Sequence, residues 1–124
     1  MDFGDARHKQ EFFSEELDAR VRSIALELDL WITAKQKKAM FVTGVLRTAA
    51  EQAAIYPDNP TKPSPHTDRP CRAIDFRRTH FTPEETLALV GYFNFWWGRF
   101  KTALLLVDDR GPQHPHLHLA VYDI

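Results

Sequence analysis

Three histidines recur at every second position in the stretch GPQHPHLHLAV, as His114, His116 and His118. Imidazole is both a common metal ligand and the side chain best suited to moving a proton near neutral pH. In a strand, successive side chains point to opposite faces, so His116 and His118 project together while Leu117, Leu119 and Val121 project the other way. A catalytic zinc takes three protein ligands and keeps a fourth position open, so two histidines on one strand are not yet a site. Asp75, in RAIDFR, supplies a carboxylate; a strand there puts Ile74 and Phe76 on one face and Ala73, Asp75 and Arg77 on the other. His66, in KPSPHTDRPCRAIDF, supplies a further imidazole, with Asp68 and Cys71 as alternative donors in the same segment. Taken singly, each of these residues has an ordinary structural explanation. Only their combination points to a metal.

These residues need elements to position them. Phe13, Leu17, Val21, Ile24, Leu28 and Trp31 alternate steps of four and three, which predicts one amphipathic helix from Glu11 to Trp31. Met40 to Leu46, rich in apolar and β-branched residues, reads as a buried strand with Arg47 at its end. TAAE is a capping box, Thr48 to Glu51, opening a short helix to about Tyr56. Prolines 57, 60, 63, 65 and 70 then forbid a continuous helix and predict an irregular loop. The strand carrying Asp75 follows. TPEE is a second capping box with Pro83 at the first helical position, predicting a helix to about Arg99. ALLLVDD and HLHLAVY read as two closing strands, paired as a hairpin around RGPQHP. This order predicts an α+β fold in which helices pack on one face of a small, mainly antiparallel sheet and the other face carries the site.

A chain of 124 residues suits a single domain spanning 1–124. A 44% hydrophobic composition supports a filled core, and a net charge of -1 offers no electrostatic basis for a nucleic-acid or anionic-membrane partner. The lone Cys71 excludes an intrachain disulfide framework. The start MDFGDARHKQEFF has no basic segment followed by an apolar run, and no apolar stretch approaches the ~20 residues that span a bilayer. The expectation is a monomer made in the cytoplasm without a signal peptide.

Ser64, His66, Ala73, Asp75 and the pair His116 and His118 together resemble the pattern of the zinc peptidases that cut D-amino-acid bonds in peptidoglycan. That pattern is Ser-x-His-x-x-Gly-x-Ala-x-Asp followed late in the chain by His-x-His. The group comprises D-alanyl-D-alanine carboxypeptidases and L-alanyl-D-glutamate endolysins, which share a fold with lysostaphin-type peptidases and hedgehog domains. VTGVLRTAAEQ is similar to an upstream segment of the same group, with Arg47 and Gln52 at matching positions, so the likeness covers roughly residues 17 to 122. The chain departs from the pattern at Cys71, which stands where the glycine is usual, and in the eight residues between His66 and Asp75 where the pattern has six. Strict spacing would put Asp68 in the histidine's place; Ser64-Pro65-His66 keeps the Ser-x-His element.

The resemblance implies a hedgehog/D-Ala-D-Ala-peptidase-like fold holding Zn2+ on His66, Asp75 and His118, with a peptidoglycan peptide as substrate. Zinc there would lower the pKa of a bound water to roughly 7 and polarise the scissile carbonyl. In many members the base is a carboxylate three residues before the last ligand, but Pro115 holds that position. His116 is then the first candidate base, with His114, Asp108 and Asp109 behind it. Arg47 would bind the carbonyl oxygen as charge develops, or a substrate carboxylate, and Ser64 would be a substrate-binding hydroxyl. The implied setting is a phage or bacterial lytic or remodelling enzyme that reaches the cell wall after release. The alternative is a catalytically inactive zinc-binding or phage structural module on the same fold.

Overall fold

The computed structural model describes residues 1–109 and 115–122. Its elements run β1 (Asp2–Phe3), α1 (Ala6–Phe12), α2 (Ala19–Gln36), β2 (Phe41–Gly44), α3 (Ala49–Ile55), β3 (Ala73–Arg77), α4 (Pro83–Phe93), a π-helical turn (Asn94–Gly98), β4 (Ala103–Asp108) and β5 (His116–Val121). The five strands form one mixed sheet in the order β1-β2-β3-β5-β4. β1 lies parallel to β2, and every other pairing is antiparallel. The architecture is therefore α+β. The parallel edge strand β1 is an addition to the predicted sheet, because a two-residue strand carries no periodicity to read. His114 and most of the expected hairpin turn lie outside the described residues.

One buried face of α2 (Val21, Ile24, Ala25, Leu28 and Ile32) and Leu89 and Phe93 of α4 pack with Ile74 and Phe76 of β3 and Leu117, Leu119 and Val121 of β5. Trp31 and Tyr92 stack between the two helices, ring centroids 4.4 Å apart. Among the described residues no helix is long and apolar enough to cross a membrane.

The predicted single helix from Glu11 is in fact two. Asp18 caps α2 by accepting from the Arg20 amide. The backbone just before it is drawn into pairing with a distant segment: Cys71 N–H donates to Glu16 O at 2.6 Å and Asp18 N–H to Cys71 O at 2.8 Å. Arg22 donates to the carbonyls of Phe12, Ser14 and Leu17 across the break. These partners satisfy backbone groups that a continuous helix would have paired internally.

Both predicted capping boxes form, at Thr48 with Glu51 and at Thr82 with Glu85. The last predicted helix is modified at its end. Asn94 O accepts from Arg99 N–H at 2.9 Å, an i→i+5 bond, and the Asn94 side chain lies where a Cβ on Gly98 would stand. The chain widens into a π turn there because glycine leaves room for it.

Candidate metal centre

β3 and β5 pair so that Asp75 faces His118 directly, with Phe76 opposite Leu117 and Ile74 opposite Leu119 on the other face. Strand alternation thus places a carboxylate and an imidazole side by side on the face away from α2 and α4. His118 Nδ1 lies 2.9 Å from Asp75 Oδ1.

His66 arrives from the proline-containing loop, and its position is set by β2's continuation. His66 Nδ1 donates to Val45 O at 2.7 Å, and Arg47 N–H donates to His66 O at 3.1 Å. Ser64 Oγ accepts from the His66 amide at 3.2 Å. The residue is only 2% exposed. Docked on the 45–47 segment, His66 does not depend on a fixed spacing to Asp75. Asp68 pairs with Arg72, 2.7 Å from its Nη2. The buried Cys71 directs Sγ to Val45 O and Ala73 O, and burial pushes its thiol pKa up. Neither belongs to the group that forms.

That group is His66, Asp75 and His118, whose donor atoms all lie within 4.8 Å of one another and could hold a metal ion. Since Nδ1 of His66 donates its proton to a carbonyl, Nε2 presents a lone pair. This buried nitrogen has no hydrogen-bond partner among the described residues, yet it stands 3.2 Å from Asp75 Oδ1. Held that close, the two atoms need a proton or a metal cation between them, and the group of three could hold the latter. The separation also approaches the edge of ~3.3 Å expected for a tetrahedral site with metal bonds of about 2.0–2.1 Å. Burial pushes the Asp75 carboxyl up, but the His66 and His118 imidazoles set against it outweigh burial and hold the group well below the usual carboxylate range. A metal ion among the three donors acts in the same sense.

Around this group stand the other residues singled out by sequence. His116 is buried, with Nε2 3.8 Å from Asp75 Oδ1 and 3.9 Å from Asp108 Oδ2. Arg47 is 8% exposed; its Nη2 lies 3.8 Å from Asp75 Oδ2 and its Nη1 donates to Gln52 Oε1 at 2.7 Å. Gln52 in turn donates to Lys62 O, so this glutamine orients the arginine. Ser64 Oγ lies 3.5 Å from Arg47 Nη1. Asp109 pairs instead with Arg78 at 2.6 Å.

Two hollows flank the group and share Arg47 and His116 in their walls. The larger, about 570 Å3, is lined also by Arg7, His8, Thr43, Glu51, Asp75, Arg77 and Thr79. The smaller, about 190 Å3, is lined by Tyr56, Ser64, His66, Leu106, Asp108 and His118. Arg7, Thr43, Arg77, Thr79, Tyr56 and Leu106 carry no motif, and only the register of β3 hinted at Arg77. Comparison with known protein families, curated proteins and solved structures finds no match.

Proposed function

We propose that this chain is a zinc-dependent peptidase or carboxypeptidase acting on a peptide bond of peptidoglycan, on a hedgehog/D-Ala-D-Ala-peptidase-like fold. The observation that carries the metal is the unpartnered, buried Nε2 of His66 facing Asp75 Oδ1. The donor set of two imidazoles and one carboxylate suits zinc. The peptidoglycan substrate rests on the resemblance of the Ser64–Asp75 and His116–His118 segments, together with the two hollows that adjoin the group and share Arg47 and His116 in their walls.

Bound zinc supplies an activated water and a Lewis acid. The chain's own residues supply the rest. His116 Nε2 takes the proton from the attacking water, and Asp108, on the neighbouring strand, favours the imidazolium that results. This pair replaces the carboxylate that Pro115 excludes. Arg47, fixed by Gln52, donates to the carbonyl oxygen as negative charge develops on it. Ser64 accepts from the His66 amide and keeps a hydroxyl proton to offer substrate in the smaller hollow.

Metal content and turnover test the reading together. The purified protein is expected to bind about one zinc per chain and to release new amino termini or free D-amino acids from muropeptides, both lost in His118→Ala. Zinc retained without cleavage of any muropeptide selects the alternative of a binding module; absence of zinc binding removes both.

A further inference from the structure

The larger hollow is lined by groups that the proposed reaction does not use. Three arginines line it, and two are matched by carboxylates. Arg7 donates through both terminal nitrogens to Glu51, at 2.9 and 2.8 Å, and Arg47 lies against Asp75. Arg77 has no carboxylate partner among the described residues. Its Nε donates to His80 Nδ1 at 3.3 Å and its guanidinium stacks over the Phe41 ring at 4.2 Å. Both contacts fix the plane of the group while leaving its terminal nitrogens without an acceptor among the described residues. Thr43 and Thr79 line the same hollow, and neither hydroxyl has a hydrogen-bond partner among the described residues. Arg77 stands directly across from His116 in the β3–β5 register, one strand row beyond Asp75 and His118.

We infer that Arg77, with Thr43 and Thr79, forms a carboxylate-binding subsite that selects peptides bearing a free acidic group to one side of the cleaved bond. An oriented guanidinium presents a planar fork that matches a carboxylate bidentately, and the ring beneath it replaces water on one side without neutralising its charge. An acidic substrate group is the missing partner that Arg7 and Arg47 already have. This subsite deepens the peptidase reading and rests on it for its role, but the carboxylate itself can be detected without turnover.

The test uses zinc-loaded protein titrated with glutarate and, in parallel, with the neutral diamide glutaramide, followed by the NMR signals of the Arg77 side chain and the Thr43 and Thr79 amides. Glutarate is expected to shift these signals saturably and glutaramide to leave them in place. Arg77→Gln abolishes the glutarate response at unchanged zinc content, and Arg77→Lys restores part of it. On muropeptides, Arg77→Gln is expected to raise KM by roughly tenfold to a hundredfold for the free acid and not for its amide, with kcat little changed. Glutarate shifts that persist in Arg77→Gln place the carboxylate on the metal or Arg47 and overturn the subsite, as does the lack of any response in a protein that holds zinc. A protein that binds glutarate through Arg77 but cuts nothing keeps the subsite and sinks the peptidase.

Discussion

The two faces of β3 and β5 are built from the same eleven residues, yet they do opposite work. On one face Ile74, Phe76, Leu117 and Leu119 are fully buried against α2 and α4. On the other, Asp75, His116 and His118 meet His66, a polar cluster whose members are largely withdrawn from water. Apolar burial stabilises at roughly 25 cal/mol per Å2, whereas burying imidazoles and a carboxylate costs free energy that only their partners offset. The face against α2 and α4 holds the fold, and the other face gives up stability to bury a polar cluster that could hold a metal ion. Side-chain alternation keeps the two separate, since a one-residue slip would exchange them.

Damage to the helix-side face is therefore expected to have the largest effect. Leu119→Ala should cost about 2–5 kcal/mol in urea unfolding, with zinc binding kept in the fraction that remains folded. If the loss were as large for His118→Ala in metal-free protein, the division of labour between the faces would be wrong. Zinc at a hundredfold excess over its Kd should raise the stability of the unaltered protein by about 2.7 kcal/mol, and this gain should vanish in His118→Ala. His116→Ala divides the polar face further: turnover is expected to fall ~10²-fold or more at unchanged zinc content, because the role proposed for the residue is to move a proton and it lies outside the group of three donors.

How much of this was legible depended on the range of the forces involved. Val21, Ile24 and Leu28 advertise α2 through local periodicity, and both capping boxes are written within four residues of chain. The alternation of β3 and β5 put Asp75 and His118 on their shared face without any knowledge of their pairing. The break before α2 was invisible, since it depends on backbone bonds from Glu16 and Asp18 to Cys71, more than fifty residues away. His66 could not be separated from Asp68 or Cys71 by spacing, because what selects it is the carbonyl of Val45 on another element. Arg77 was read only as a strand residue; its guanidinium gains meaning from Phe41 and His80, which no local pattern connects to it.

The smallest predicted effect lies at the rim of the larger hollow. Arg7 and Glu51 form a bidentate pair there, and the Arg7 hydrogen bonds, helped by the Thr48 amide, lower the Glu51 carboxyl from its ordinary 4.5 to about 2. A carboxylate with a depressed folded pKa contributes stability above its unfolded pKa and loses that contribution as pH falls through the folded value. The pair should thus stabilise fully above about pH 5 and fade between pH 4.5 and 2. Its side chains are 48% and 39% exposed, so solvent screening limits its worth to about 0.2–1 kcal/mol. Arg7→Ala should accordingly destabilise by no more than that at pH 7, with the difference from the unaltered protein shrinking toward pH 2 and at raised salt. A loss of several kcal/mol would mean that the polar face does hold the fold; a small loss that ignores pH would mean that Arg7 acts through its contact with the hollow's wall and not through its charge.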